Sequence, residues 1–168
     1  MAFTPEDGTG LADANSYSDV ATADSYFADR NNAAWAALTT GNKQAALIAA
    51  TDYIDAVFGA FFRGVPVSET QALCFPRDQF TGIPSNLKKA TAEYALRASA
   101  GPLAPDVEQD PSGYQVSRKF QRVGPIEERT DFAFLGPGAS RKLLKPYPAA
   151  DMLLRPLLNT TTGRVIRN

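Results

Sequence analysis

The chain has 168 residues, the size of one ordinary domain, with 44% apolar and 21% charged side chains, a balance that excludes wholesale disorder, collagen-like repeats and a membrane-embedded protein. It has no histidine and one cysteine, Cys74, so an intramolecular disulfide is impossible, a Cys/His zinc site lacks ligands, and Ser-His-Asp or Cys-His catalysis lacks its base. The net charge of −1 conceals a gradient: residues 1–84 hold 4 Lys/Arg against 10 Asp/Glu, and residues 85–168 hold 13 against 8, so the second half suits a polyanion or an acidic neighbour, or is a solvated basic surface.

The first residues, Met1-Ala2-Phe3-Thr4-Pro5, have no basic start and no apolar run, and predict no secretory signal. Gly8-Thr9-Gly10 lacks a preceding strand and a third glycine, and reads as a flexible start rather than a phosphate loop. Asp13-Ala14-Asn15 begins like a calcium loop, yet Tyr17 stands where the third ligand belongs and Ser18 replaces the turn glycine.

Alanine concentrates in residues 1–100, with 22 of 27 copies, which predicts a compact helical body because alanine gives up no side-chain entropy in a helix. Asp19 or Ser18 can cap a first helix running to Asn31, with Val20, Ala23 and Phe27 on one face. Thr40 precedes a second helix over residues 41–60, where Leu47, Thr51, Ile54, Phe58 and Phe61 recur at helical spacing. Residues 69–73 suggest a short helical turn after Ser68, stopped by Pro76. Ser85 can cap a third helix with Leu87, Thr91, Tyr94 and Ala98 on one side, ended by Gly101-Pro102.

Eight of the 12 prolines fall between Pro102 and Pro156, so long helices become improbable there. Residues 102–113 form an acidic, Pro-rich connector. The alternation of Tyr114, Val116, Phe120 and Val123 predicts a strand, with a turn at Gly124-Pro125 and a returning strand over residues 126–132. Residues 133–148 read as a Gly/Pro-rich loop. A short final helix fits residues 148–159, with Met152, Leu153, Leu157 and Leu158 apolar and a kink at Pro156. The tail after Asn159 either frays or adds as a strand to a partner's sheet edge through Val165 and Ile166.

The predicted fold class is therefore mainly α: a small helical bundle of three main helices plus a short C-terminal helix, with a protruding loop or β-hairpin arm and an extended C-terminal tail. Residues 1–101 form the body, 102–147 the connector and β-arm, and 148–168 the C-terminal helix and docking tail.

Motifs for chemistry are sparse. No Gly-rich loop ends in Gly-Lys-Ser/Thr. Asp52 and Asp55 share a helix face, an arrangement open to metal or acid–base work, but isolated helix carboxylates are far more commonly solvated surface. Cys74, between Leu73 and Phe75, reads as a small buried hydrophobe. Asn159-Thr160-Thr161 matches a glycosylation acceptor, which has no meaning without secretion. Arg118, Lys119 and Arg122 with Tyr114 and Phe120 resemble the cation–aromatic mix that holds single strands, and repeated around a ring they would form a positive band.

Several segments in order resemble one family. Asn15-Ser16-Tyr17, Ala23-Asp24-Ser25-Tyr26-Phe27, the run from Ala45 to Asp55, Gln71-Ala72-Leu73-Cys74-Phe75-Pro76-Arg77, Ile83-Pro84 with Leu87-Lys88-Lys89-Ala90-Thr91, Val123-Gly124-Pro125-Ile126-Glu127 and Leu153-Leu154-Arg155-Pro156-Leu157-Leu158 together resemble the head–tail adaptor, or head-completion, proteins of tailed bacteriophages. Similar sequences carry the label of a DnaT-like single-stranded-DNA-binding domain. One departure is Cys74-Phe75, where the family pattern has an Ala-Trp-like pair.

The resemblance implies a structural virion protein with no cofactor and no catalysis. It would form a homo-oligomeric, dodecameric ring under the portal protein, extend the DNA channel, and offer a surface to tail or neck proteins. It would sit in the virion neck after assembly in the host cytoplasm, without membrane contact. Gly163, Arg164, Val165, Ile166 and Arg167 would dock on the portal. Arg118, Lys119 and Arg122 would face packaged double-stranded DNA or a neighbouring subunit. The alternative is a single-stranded-DNA-binding module.

Overall fold

The computed structural model describes residues 2–105, 115–122, 127–133 and 145–159. The protein is mainly helical, and its chain forms two compact units: Met1–Leu103 with Pro146–Asn168, and Ala104–Lys145.

In the first unit α1 spans Val20–Ala28, and the Asp19 side chain accepts from the Thr22 N–H at 2.7 Å, the N-cap that the sequence predicted. Ala23 and Phe27 are its buried residues. The helix stops short of Asn31 because Asn31 takes a left-handed φ of 49°, a conformation helices cannot continue through. Asn32 then caps a one-turn helix absent from the sequence reading, α2 (Ala33–Ala36), by accepting from the Trp35 N–H at 3.0 Å. That turn buries Trp35 against Phe27, with ring centroids 4.9 Å apart.

Helix α3 covers Thr40–Phe58 and is capped by Thr39 rather than Thr40. Leu47, Thr51 and Ile54 are fully buried, as their spacing implied, but Phe61 is 45% exposed. The helix tightens into a 3-10 turn at Gly59–Phe61. Three residues per turn instead of 3.6 swings the apolar stripe out of phase. A Cβ at Gly59 would lie 2.7 Å from Cys74 Sγ, so a side chain there would force Cys74 to shift.

Residues 62–84 form an irregular ordered loop with a cis Phe75-Pro76 bond. The expected helical turn over residues 69–73 is not formed. The Gln71 side chain instead bonds backbone within the loop, donating to the carbonyls of Leu73 at 2.7 Å and Pro76 at 3.2 Å. Helix α4 (Ser85–Ala98) follows, with Pro84 at the N-cap and no side-chain cap, so Ser85 is its first residue and not the cap.

Helix α4 is central and packs on α3, α1 and α5 (Pro148–Leu154). Small buried residues on the α3 and α4 faces, Ala46, Ala50, Ala90 and Ala95, leave room for close helix contact, while Leu47, Ile54 and Leu87 fill the core. Each of the larger side chains contributes about 1.5–3 kcal/mol by leaving water.

After α5 the chain passes into a 3-10 turn, Arg155–Leu157, that contains Pro156. The predicted helix over residues 148–159 therefore ends its α part at Leu154, since proline supplies no N–H to continue it. Leu154 and Leu157 are buried, and Met152 is 58% exposed. The exit segment pairs with the end of the 3-10 turn after α3: Arg63 N–H donates to Leu157 O at 3.0 Å and Asn159 N–H to Phe61 O at 2.7 Å.

In the second unit β1 (Gln115–Arg122) pairs antiparallel with β2 (Glu127–Ala133), with an irregularity between Val116 and Arg118. The hairpin agrees with the alternation read from the sequence. Its turn at Gly124-Pro125 lies outside the described residues.

Candidate functional site

A polar cluster joins α3 to the loops around it. Asp52 is exposed, but Asp55 is half-buried and accepts from the Tyr17 hydroxyl and, at 3.0 Å, from the Cys74 N–H. The expectation of two solvated carboxylates therefore fails at Asp55, because Tyr17 and Cys74 fold over it from distant parts of the chain. Burial raises the Asp55 pKa, against the hydrogen bonds that lower it, and burial followed by the Asp55 charge raises that of Tyr17.

Cys74 is half-buried rather than buried, and burial with the Asp55 charge pushes its thiol up to about 11. From the ordinary value of 9.0, a rise of that size lowers the thiolate fraction near pH 8 about 100-fold, and the thiolate is the nucleophile. Iodoacetamide is therefore expected to alkylate Cys74 about 100-fold more slowly in the native protein than in urea, as followed by mass spectrometry. Equal rates in the two states would contradict the assigned environment.

Arg77 is 9% exposed and makes no ion pair among the described residues. Its Nε donates to Cys74 O at 2.9 Å, one terminal nitrogen to Phe62 O at 3.0 Å and Gly64 O at 2.6 Å, and the other to Gly59 O at 3.2 Å. The planar guanidinium fork thus ties the irregular loop together. Glu6, 3% exposed, does comparable work at the other end: its carboxylate accepts from the N–H groups of Gly8 (3.0 Å), Gly10 (2.9 Å) and Leu11 (2.9 Å). Gly8-Thr9-Gly10 is thus an ordered loop rather than a flexible start. Its glycines have φ of 102° and 85°, conformations that side chains disfavour. Asn15, from the discounted calcium motif, bonds Thr4 N–H at 2.9 Å and Ala2 O at 2.7 Å.

A different chemistry lines the cleft between α1 and the start of α4. This concavity of about 580 Å³ is bordered by Thr22, Ser25, Tyr26, Arg30, Lys88 and Lys89, with Asp29 also at its edge. Arg30 stacks over the Tyr26 ring at 3.6 Å, and the Tyr26 hydroxyl donates to Glu93 at 2.9 Å. Two other cations of the same body are neutralised, Lys43 by Asp24 at 2.8 Å and Arg97 by Glu93 at 2.7 Å. Arg30, Lys88 and Lys89 have no ion-pair partner among the described residues. Lys88-Lys89 is visible as a basic pair, but only folding brings Arg30 beside it.

Of the predicted site residues, Arg118, Lys119 and Arg122 lie on β1, where the register sets Arg118 opposite Asp131, Lys119 opposite Thr130 and Arg122 opposite Glu127. The two strands together carry four cations and three carboxylates. Gly163, Arg164, Val165, Ile166 and Arg167 lie outside the described residues. Among the described residues, no group of three or more His, Cys, Asp or Glu is placed to hold a metal ion, and no helix is long and apolar enough to cross a membrane.

Among the described residues, the helical body thus combines buried polar groups that bind its own backbone and side chains with a basic concavity between α1 and α4. The chain belongs to the family described as "Putative DnaT-like ssDNA binding protein", which it matches over residues 1–168. No curated protein and no solved structure matches it.

Proposed function

We propose that the protein is a non-catalytic structural component of a tailed-phage virion: a head–tail adaptor forming a ring under the portal, extending the DNA channel and receiving tail proteins. The observation that carries this reading is the segment over residues 61–67, from the end of the 3-10 turn into the loop that follows. Phe61, Val65 and Val67 are 45%, 62% and 49% exposed on it, beside the backbone pairing from which the C-terminal segment departs. Exposed apolar side chains within one short segment suit a surface that another protein covers. The ordered resemblance of the segments from Asn15 to Leu158 supports the same reading. The protein would act in the virion neck after assembly in the host cytoplasm, with contacts to the portal, to tail or neck proteins and to packaged DNA.

Native mass spectrometry and electron microscopy of the protein mixed with its portal ring test this. A closed ring seated on the portal is expected, and Val67→Glu or removal of residues 163–168 should weaken seating at least tenfold while the helical circular dichroism persists. A chain that stays monomeric and ignores the portal would overturn the reading.

The family description favours a second function, single-stranded DNA binding by the isolated chain. It predicts affinity for a short oligonucleotide that falls steeply with salt.

A further inference from the structure

We infer that the cleft between α1 and α4 holds the sugar-phosphate backbone of a single-stranded nucleic acid, an assignment that rests on the single-strand reading just given. The unit formed by residues 1–103 and 146–168 carries 10 Lys/Arg against 12 Asp/Glu, so three cations around one concavity are a local basic concentration on a nearly neutral body. Arg30, Lys88 and Lys89, all without ion-pair partners among the described residues, meet around the same concavity of about 580 Å³. Unpaired cations in a concave site focus the field on a polyanion.

The remaining lining has the chemistry that such a strand needs. Ser25 and Ser85 are exposed and offer hydroxyls to phosphate or sugar, and contacts of that kind position a strand without reading its sequence. Arg30 Cζ lies 3.6 Å from the Tyr26 ring centroid, with a terminal nitrogen donating to Tyr26 O at 2.8 Å, and the ring is fixed through its hydroxyl to Glu93 at 2.9 Å. One face of the guanidinium is covered by the ring, so the opposite face forms a platform on which an unstacked base can lie. Asp29 at the edge opposes a second phosphate on that side. The β1 strand is a weaker candidate, since Arg118 and Arg122 stand opposite Asp131 and Glu127 in the hairpin register.

The test is fluorescence anisotropy of the full chain with a labelled oligothymidylate over a salt series. Each single-strand phosphate contact contributes about 0.7 to the slope of log affinity against log salt. Lys88→Gln with Lys89→Gln is therefore expected to lower the slope by about 1.4 and the affinity about tenfold or more near 50 mM salt. Arg30→Ala should weaken binding with a smaller change in slope than the double lysine variant. The triple variant Arg118→Gln, Lys119→Gln, Arg122→Gln should retain most of the affinity.

Loss of binding in the triple variant, with the lysine variant unaffected, would overturn the cleft and move the site to the hairpin. Equal affinity for a polyphosphate chain of matched charge would overturn the nucleic-acid assignment. A wild-type protein that binds no oligonucleotide would remove the single-strand reading itself, and the cleft with it, while leaving the ring reading standing.

Discussion

Arg77→Ala is expected to abolish cooperative folding of the body, or to lower its stability by roughly 4 kcal/mol or more. The guanidinium donates to the carbonyls of Gly59, Phe62, Gly64 and Cys74. Leaving one buried polar group without its partner costs about 1–3 kcal/mol, and a typical domain has only about 5–15 kcal/mol in total. The loss therefore approaches the whole stability of the fold. Arg77→Lys should recover only part of it, because an ammonium is a single point and cannot reach carbonyls spread along residues 59–74. Urea titration by circular dichroism checks both variants. A midpoint for Arg77→Ala equal to that of the wild type would mean that water replaces the guanidinium without penalty.

The second large effect is alkaline. Tyr17 and Tyr94 are fully buried, and each donates its hydroxyl to a carboxylate, Asp55 and Asp151 respectively. Burial raises the pKa of both well above the ordinary value of 10.0, with the neighbouring carboxylates adding in the same direction. Below pH 10 both the folded and unfolded chains keep these protons, and stability is unaffected. Above it the unfolded chain releases them while the native protein retains them, so stability falls as pH rises.

One proton retained per tyrosine corresponds to about 1.4 kcal/mol per pH unit, or about 2.7 kcal/mol per unit for the pair. Cys74, raised to about 11, adds to the decline from about pH 9. The wild type is thus expected to unfold steeply between about pH 10 and 12. Tyr94→Phe should be less stable at neutral pH yet show a shallower alkaline slope. Ultraviolet titration of the native protein would sink this account if all six tyrosines ionised together near the ordinary value.

Much of the fold was readable before the structure. Helices α3 and α4 announced themselves through Leu47, Thr51 and Ile54 and through Leu87, Thr91 and Tyr94, all of which are buried. Asp19, one of two cap candidates with Ser18, and the two-stranded hairpin were also readable, because capping and alternation depend on residues within a few positions of each other. Helix α2 escaped because four residues display no period. Phe61 was misplaced because the periodic argument assumes a continuing α-helix, and the chain tightens just before that residue. The helical turn over residues 69–73 failed for a related reason: local propensity said nothing of Gln71 bonding the loop's own carbonyls.

The site residues divide along the same line. Arg77 was visible after a proline and Glu6 just ahead of Gly8-Thr9-Gly10, yet neither pattern says that the side chain turns inward onto backbone. The stretch from Tyr114 to Arg122 resembles the cation–aromatic mix that holds single strands. Its register sets carboxylates opposite two of its three cations, whereas the α1–α4 cleft draws Arg30 and Lys88-Lys89 from segments more than 50 positions apart.

Composition and short-range periodicity were enough to establish a mainly helical protein without histidine chemistry, with an acidic first half and a basic second half. They could not say which polar groups leave water or which charges stay unpaired. Tyr17 meets Asp55 across 38 positions and Tyr94 meets Asp151 across 57. Such encounters exist only once helices pack, because burial and pairing are properties of the space around a group and not of its neighbours along the chain.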